Sequence, residues 1–352
     1  MTTGERLRLS LEHREPDRVP IFAPNIIDTR EPYDPDLKRY LDEFPFDEME
    51  GVGGLLTTPS ALRPLGGPDD DLFEDGYGCR YRYMGVGLPY CIHSPLSGAS
   101  TAADVDAFEW PDAEAVEWVA ADAAARARAK RESTDGLINV GIGPLFHQYH
   151  YLRGFDEWML DIAGNRAVHQ AIAGHIHRIN QTILMRALEA VAPYVDLVST
   201  GDDLGHSTAP YMSPVDFCAL VKPWYADLIG AIKRRWPHLR FYLHSHGQIM
   251  DFVPDLAECG VDVLNPVLPL DHMDGPALKR DFGDRLTFHG GVDIEGIVPF
   301  GTVCEVRDHV KQVIDTLAPG GGYWFKCQAI SPVMPPENVM AAYDLALEYG
   351  VY

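Results

Sequence analysis

The chain has 352 residues, of which 46% are hydrophobic and 23% are charged, a composition typical of a folded protein with a large core. Its formal net charge of -23 at pH 7 repels nucleic-acid phosphates and anionic membrane surfaces, which argues against both as partners. The charged opening MTTGERLRLSLEHREPDR has no apolar segment, and no run of about 18 apolar residues follows, so we expect a cytoplasmic protein without a secretory signal or a membrane span.

The first part of the chain predicts few regular elements. A short helix is expected to end before DRVPIF, and residues 18–22 are the first predicted strand. Residues 25–110 are rich in Gly, Pro, Asp and Tyr, which indicates loops and short strands that elaborate one side of the protein. The alanine-rich residues 113–131 predict a helix.

From residue 137 onwards, strand and helix patterns alternate. The predicted strands are 137–142, 196–200, 239–244, 261–265, 286–290 and 323–325, and the predicted helices are 155–163, 166–192, 214–236, 250–259, 274–282, 303–317 and 336–349. Such alternation is typical of a parallel sheet, and about seven or eight units favour a closed (β/α)8 TIM barrel. We therefore predict an α/β protein with one domain over residues 1–352, in which 25–110 form an elaborated N-terminal loop region and 137–352 the regular units.

Acidic, imidazole and thiol groups follow the predicted strands. Asp202 and Asp203 follow LVST, His244 and His246 end LRFYLHSH, and Cys327 follows YWFK. In a TIM barrel the carboxyl ends of the strands meet at one face, where active sites lie. We therefore expect these side chains to lie close together.

The stretch HSHG predicts a metal site. Residues i and i+2 of a strand share a face, so His244 and His246 are expected to converge on one point, and Gly247 to end the strand without a side chain. Two histidines with a cysteine, for which Cys327 is a candidate, suit a catalytic Zn²⁺ with one open position. The alternative is that both histidines are polar residues hydrogen-bonded to neighbouring carboxylates.

Three aspartates are candidate catalytic residues. Asp202 and Asp203 follow a buried strand, where one interpretation is helix N-capping and the other is a metal ligand, a partner of a histidine or a general base. Asp293 in GGVD is either a turn residue or a carboxylate of the site.

Five residues are candidates for substrate binding. His147, Tyr149 and Arg153 in GPLFHQYHYLRG follow a strand and are expected to line a pocket, with local hydrogen bonding as an equal alternative. His206, in the segment after LVST, and Gln328, after the last strand, are the other two. His289 in LTFHGG is instead expected to be a packed strand residue.

Several motifs occur in order along nearly the whole chain: REPDRVP, YLRGF, GDDLG, SPVDF with VKPWY, VDVLNPV, FGDRLTFHGGVD, PFGT, PGGGY and PPEN. With these motifs the chain resembles the uroporphyrinogen decarboxylase-like superfamily, and specifically its branch of corrinoid-linked methyltransferases. The resemblance implies a (β/α)8 barrel in which zinc is bound by a His-x-Cys pair at a strand end and a third Cys or His near the last strand. Here the pair is His244 and His246, and the third ligand maps to Cys327 or Gln328, of which Cys327 is chosen because glutamine is a poor zinc ligand.

The resemblance also implies a reaction. It predicts a zinc-dependent methyltransferase that moves a methyl group between a small substrate, such as a methyl ether, methylamine or thiol, and a corrinoid. The corrinoid is expected on a separate partner protein, because no corrinoid-binding domain is visible in this chain. Zinc would either hold a thiolate acceptor or act as a Lewis acid on the leaving group, while Asp202 or Asp203 orients a histidine or handles a proton. By analogy with similar barrels, we expect a homodimer.

Two other classes of function are open. A metal-independent decarboxylase of a uroporphyrinogen-like carboxylate would need an arginine-rich pocket. The true decarboxylases carry an arginine-containing motif after the first strand, whereas IFAPNIIDTREP contains only Arg30. A barrel without catalysis, acting as a binding or scaffold protein, is the third hypothesis, and the presence of His244, His246 and the aspartate pair argues against it.

Overall fold

Strands and helices alternate through most of the chain. The computed structural model describes residues 1–26, 33–66, 71–84 and 89–352, so Arg30 lies outside the described residues. The strands are β1 Asn25–Ile26, β2 Met49–Gly51, β3 Arg63–Pro64, β4 Leu72–Glu74, β5 Arg80–Arg82, β6 Tyr90–His93, β7 Leu137–Gly141, β8 Leu197–Gly201, β9 Gly205–His206, β10 Ala209–Pro210, β11 Arg240–His244, β12 Val263–Val267, β13 Thr287–Gly291, β14 Tyr323–Lys326 and β15 Ala329–Ile330.

The helices occupy most of the remaining regular structure. They are α1 Thr3–Leu11, α2 Pro35–Glu43, α3 Ala102–Asp106, α4 Ala123–Ser133, α5 His147–Arg153, α6 Phe155–Ala163, α7 Arg166–Val191, α8 Pro214–Leu220, α9 Lys222–Arg235, α10 Val253–Cys259, α11 Gly275–Phe282, α12 Ile297–Phe300, α13 Val303–Leu317 and α14 Pro336–Tyr349. Short 3-10 helices span Val116–Trp118, Ala192–Tyr194 and Met250–Phe252. Within the described ranges, no helix combines the length and the apolar character needed to cross a membrane.

A curled parallel sheet forms the centre of the protein. In the part of the chain that the structure describes, its strand order is β14-β13-β12-β11-β8-β7-β2. The segment before β1 connects the two edges: Ile21 pairs in parallel with Phe325 of β14, and Asp47, just before β2, donates its backbone N–H to the Ile21 carbonyl at 2.7 Å. This closure confirms the predicted TIM barrel.

Side chains alternate along each strand between the barrel interior and the surrounding helices. The interior cluster consists of Leu7, Leu11, Phe22, Leu137, Leu197, Tyr242, Val263 and Trp324. The intervening positions, such as Phe241, Leu243 and Phe325, belong to the larger cluster under the helices. Because Tyr242 and Trp324 face the interior, the residues two positions further on, His244 and Lys326, also face it, nearer the carboxyl ends of the strands.

The helix predicted over 113–131 is wrong in its first half. Residues Val116–Trp118 form a 3-10 turn, and the α-helix spans Ala123–Ser133. Trp118 is buried and its indole N–H donates to the Asp112 carbonyl at 2.7 Å. The Trp118 carbonyl also accepts the Thr57 backbone N–H at 2.9 Å, and this tertiary contact holds the segment in a turn against the helix propensity of its alanines.

Other predictions also differ from the structure. The helix predicted over 214–236 is two helices, α8 and α9, which break at Val221 because Pro223 lacks the N–H needed to continue the first one. The segment 25–110 contains β2, a strand of the barrel sheet, which the sequence did not reveal. It also contains α2 and the antiparallel sheet formed by β3 to β6. The strand predicted over 18–22 is present only as two isolated bridges, of Arg18 with Val351 and of Ile21 with Phe325. The helix predicted over 250–259 starts as the 3-10 helix Met250–Phe252 and continues as α10. The other predicted strands and helices are confirmed within about two residues.

Candidate functional site

The carboxyl ends of the barrel strands surround a polar mouth, in which His244 is linked to Asn265 and Gln328. His244 and Asn265 are in register on β11 and β12. His244 Nδ1 lies 2.7 Å from Asn265 Oδ1, and Asn265 Nδ2 donates to the His289 carbonyl at 3.2 Å and to Gln328 Oε1 at 2.9 Å. These contacts connect three strands across the mouth.

This network determines the tautomer of His244. A backbone carbonyl only accepts hydrogen bonds, so the amide nitrogen of Asn265 must face His289 and its oxygen must face His244. His244 Nδ1 therefore carries a hydrogen. Burial lowers the pKa of His244, although Asn265 acts against this shift, so the neutral ring presents Nε2 as the nitrogen with a free lone pair.

His246 lies beside His244, with the ring centroids 5.0 Å apart. Its Nδ1 lies 3.6 Å from Asp271 Oδ2, and its backbone N–H donates to Asp203 Oδ1 at 2.8 Å. Burial acts to lower the pKa of His246, but Asp271 and Asp203 outweigh burial and raise it. The surroundings thus shift the pKa values of the two neighbouring imidazoles in opposite directions, down for His244 and up for His246.

Gly247 allows the chain to turn directly after this pair. Its φ is 98°, a backbone conformation that residues with a side chain rarely adopt. A Cβ at this position would collide with the backbone of Gly205. The Gly247 N–H donates to Asp271 Oδ2 at 3.1 Å, so the same carboxylate holds both the turn and the ring of His246.

The predicted catalytic pair Asp202 and Asp203 has two different environments. Asp202 is fully buried and accepts hydrogen bonds from the backbone N–H groups of Leu145, Phe146 and His147, at 3.0, 2.9 and 2.7 Å, and from the Tyr225 hydroxyl at 2.5 Å. Burial raises the pKa of Asp202 to about 6, against the effect of these bonds. Asp202 therefore does not N-cap a helix of its own, since the N-cap residue of α5 is Phe146. It anchors the start of α5 through a tertiary contact and is closed to a substrate.

Asp203 is the open member of the pair. Its Oδ1 accepts the His246 backbone N–H, and its Oδ2 lies 3.8 Å from His147 Nδ1. Burial lowers the pKa of His147, with Asp203 acting against it. The structure thus brings His147, Asp203 and His246 together at the mouth.

Cys327 lies on the opposite face of the last strand from Gln328. Its backbone N–H donates to the Tyr343 hydroxyl on α14 at 3.3 Å, and burial raises the pKa of its thiol to about 12. The structure therefore does not bring Cys327 to His244 and His246. Among the described residues, no three or more His, Cys, Asp or Glu side chains are arranged to bind a metal. The predicted set of two histidines and one cysteine does not fit zinc in this arrangement.

Tyr149 and Arg153 lie in a buried network away from the mouth. The Tyr149 hydroxyl and Arg153 Nε both donate to Asp161 Oδ2, at 2.8 and 2.7 Å, and Arg153 Nη1 donates to the Leu96 carbonyl at 2.8 Å. Both side chains are nearly inaccessible to solvent. This placement does not suit the predicted role in substrate binding, because the guanidinium is fully occupied by protein acceptors.

The remaining predicted residues have local partners. Asp293 Oδ1 accepts the backbone N–H groups of Glu295 and Gly296, at 3.1 and 2.7 Å, which is the turn alternative. Exposed His206 lies beside Thr208, with Nδ1 3.3 Å from its hydroxyl. His289 is buried in the barrel as a packed strand residue, as predicted, with Nδ1 3.1 Å from the Tyr242 hydroxyl.

The sequence analysis missed Lys326, Glu48 and Asn265 at the mouth. Lys326 Nζ donates to Asn25 Oδ1 at 2.9 Å, and burial lowers the pKa of the lysine while Glu48 acts to raise it. Burial raises the pKa of Glu48, whose Oε1 accepts the Ala23 backbone N–H at 3.1 Å. The alternation of side chains along β14 could have revealed Lys326, because it shares a face with Trp324. Glu48 lies in the segment predicted to be irregular, where no such pattern was available.

Comparisons with known proteins agree with this architecture. The family model described as uroporphyrinogen decarboxylase (URO-D) matches residues 75–349, more than half of the chain. No curated protein matches the sequence. A solved structure described as a methyltransferase from Methanosarcina mazei is similar over 99% of this chain and 99% of its own, with a TM-score of 0.66 and 18% identity, which shows a shared fold. A B12-independent methionine synthase from Shewanella sp. W3-18-1 in complex with selenomethionine aligns over 64% of this chain and 65% of its own, with a TM-score of 0.40 and 12% identity.

Proposed function

Because the chain belongs to the uroporphyrinogen decarboxylase family, we propose that its barrel mouth transfers a methyl group between a small substrate and a corrinoid on a partner protein. The substrate is a methyl ether, a methylamine or a thiol. The observation that carries the proposal is the pair of imidazoles, His244 and His246, which lie side by side at the mouth, each with a polar partner at Nδ1. The shared fold with a methyltransferase is consistent with it.

The pair of histidines suits the proton chemistry of methyl transfer. When a methyl group leaves an ether oxygen for a nucleophile, the oxygen keeps the bonding electrons and must gain a proton or a cation. His246, beside Asp203 and Asp271, is placed to hold that proton. His244 offers Nε2 to the same space, where it can orient the leaving atom or accept a proton in the reverse direction. The corrinoid would supply the nucleophile that takes the methyl group.

The alternative to a proton on His246 is zinc bound by the two histidines without Cys327. Metal-binding histidines usually donate the hydrogen of their other ring nitrogen to an oxygen, which directs the free nitrogen at the metal. His244 meets this condition through Asn265. Zinc bound there would act as a Lewis acid on the leaving atom. Cys327 does not meet the geometry of a third ligand, and the proton chemistry proposed for His244 and His246 needs no metal.

A partner protein fits the exposed apolar residues around the mouth. Val215, Phe300 and Val333 lie in segments that follow the carboxyl ends of different barrel strands, and they are 74%, 83% and 82% exposed. Exposed apolar side chains mark an interface where they form a contiguous patch. A corrinoid protein docked at the face of His244 and His246 would cover these three residues.

The test is formation of a methylated corrinoid. Purified protein is incubated with free cob(I)alamin and a panel of methyl ethers, methylamines and methyl thioethers, and the absorption spectrum is followed. We expect methylation with at least one donor, and its loss in His246→Ala. His238→Ala is the matched control, because exposed His238 precedes the same strand at the opposite end of the barrel. If no donor yields a methylated corrinoid or thiol, the proposal is wrong, and conversion of uroporphyrinogen to coproporphyrinogen would favour decarboxylation instead.

A further inference from the structure

We propose that Lys326 binds the negatively charged group of the substrate, and that the substrate is a small molecule with a single carboxylate. This inference rests on the proposed function, since it names the substrate class of the same mouth.

Lys326 faces the barrel mouth from the end of β14. Two residues earlier, Trp324 lies in the barrel interior and stacks on Phe22 with ring centroids 5.0 Å apart. The alternation of the strand therefore directs Lys326 to the same interior side, one layer nearer the carboxyl ends. Its Nζ is held there by Asn25 Oδ1 at 2.9 Å.

The ammonium group of Lys326 lacks an ion-pair partner among the described residues. Its hydrogen-bond acceptor there is the neutral side chain of Asn25, which uses one of three N–H donors. Two other partly buried lysines form ion pairs, Lys222 with Asp255 at 2.7 Å and Lys233 with Asp262 at 2.7 Å, whereas Lys279 donates to the Gly321 carbonyl. A partly buried cation with unused donors at the mouth of a barrel is a site for an anion.

The carboxylates of the mouth leave this position free. Asp203 and Asp271 are held at His246, through its backbone N–H and its ring. Glu48 is the carboxylate that acts to raise the pKa of Lys326. Its Oε1 accepts the Ala23 N–H, however, and in the described chain it forms no ion pair with the lysine within 4.0 Å. A ligand carboxylate can therefore reach Nζ without displacing a salt bridge.

The charges around Lys326 limit how many carboxylates the substrate can carry. One ammonium group balances one carboxylate, whereas a substrate with many carboxylates would need several cations. The chain's net charge of -23 also repels polyanions more strongly than monoanions. Among the described residues, this charge balance favours a monoanion over a uroporphyrinogen-like substrate.

The mouth also places the two ends of this substrate. In the sheet, β12 and β13 separate β11, which carries His244, from β14, which carries Lys326. A substrate whose carboxylate is bound by Lys326 therefore extends its methylated atom toward His244 and His246 on the facing wall. We infer a short molecule with a carboxylate at one end and a methylated heteroatom at the other.

Binding of two carboxylates and their neutral amides tests the inference. The probes are methoxyacetate with methoxyacetamide and 4-methoxybenzoate with 4-methoxybenzamide, measured by calorimetry on the wild type, Lys326→Met, Lys326→Arg and Lys279→Met. Lys279 is the matched control, a partly buried lysine whose Nζ is held by the Gly321 carbonyl, outside the mouth. We expect at least one carboxylate to bind roughly ten- to a hundredfold tighter than its amide, which is the gain of a charged hydrogen bond. Lys326→Met should abolish this preference, Lys326→Arg should retain part of it and Lys279→Met should keep it whole.

The outcomes separate this inference from the proposed function. Equal binding of acid and amide by the wild type, no binding of either acid, or an unchanged preference in Lys326→Met overturns the anion site. The wild-type comparison decides even if Lys326→Met fails to fold. A Lys326-dependent preference without any methyl transfer leaves the anion site standing and rejects the proposed function. Methyl transfer from neutral donors that Lys326→Met does not slow rejects the anion site and leaves the proposed function standing.

Discussion

His244 donates its Nδ1–H to Asn265 Oδ1 over 2.7 Å, and this contact leaves Nε2 as the nitrogen available for chemistry. The same asparagine donates to the His289 carbonyl and to Gln328, so its orientation is fixed by two acceptors. An amide side chain on one strand therefore sets the protonation pattern of a histidine on the next.

Asn265→Leu is expected to remove the preference of His244 for the tautomer with hydrogen on Nδ1. The leucine cannot accept the Nδ1–H, so the ring should populate both tautomers, and methyl transfer should fall about 10- to 100-fold, as for lost partners of functional histidines. Nitrogen-15 NMR of the imidazole reports the tautomer directly. A wild-type spectrum with the hydrogen on Nε2, or an unchanged spectrum in Asn265→Leu, contradicts the assignment.

Cys327→Ala is expected to leave metal content unchanged while His246→Ala removes any zinc. The reason is that the Cys327 thiol faces Tyr343 rather than the mouth. Elemental analysis of both variants and the wild type decides. The alanine should cost on the order of 1 kcal/mol in the free energy of unfolding, from the small cavity that it leaves. Loss of zinc in Cys327→Ala would show that the thiol reaches the histidines.

Gly247→Ala is expected to destabilise the mouth. At φ of 98° a side chain is strained, and the new Cβ would collide with the backbone of Gly205. We expect a loss of at least ~2 kcal/mol in denaturant unfolding. Gly98→Ala is the control, since a Cβ there meets no atom within 4 Å. Equal stabilities of the two variants would refute the argument.

Arg153→Met is expected to reduce stability rather than substrate binding. It would leave Asp161 as a buried charge without its cation, which typically costs about 3–5 kcal/mol. Replacing both residues, as Arg153→Met with Asp161→Leu, should recover part of the loss. Unfolding in denaturant and calorimetric binding of the methoxy acids measure the two effects separately. Normal stability with weakened binding would restore the predicted substrate role.

His169 is expected to make the protein less stable in mild acid. The ring is buried against Tyr149, and burial lowers the pKa of His169 to about 4 from a usual 6.5. Between these values the unfolded chain binds the proton and the folded one does not, so stability falls as the pH drops from 6.5 toward 4, by up to about 3 kcal/mol. His169→Gln should show a smaller slope in that window than the wild type. Parallel pH profiles of the two proteins would contradict the prediction.

Much of the candidate site could be predicted because strand ends are visible in the sequence. The period of two placed His244 and His246 on one face, and the structure puts their rings 5.0 Å apart. Asp203 was found by its place after a strand. The sequence could not distinguish the role of Asp202 from that of Asp203. Nothing in GDDLG shows which of the two carboxylates accepts the N–H groups of residues 145–147.

The sequence by itself determined the alternation of strands and helices, the barrel and the pair of histidines, because these follow from local periodicity. Only the tertiary structure decided which face of each strand is the interior one. Alternation shows that Lys326 and Gln328 share a face and that Cys327 takes the other, but the packing of Trp324 on Phe22 sets which of them points into the barrel. Asn265, β2 and the bend at Trp118 were hidden for the same reason: each is defined by a contact with a distant part of the chain, whose energy local sequence does not carry.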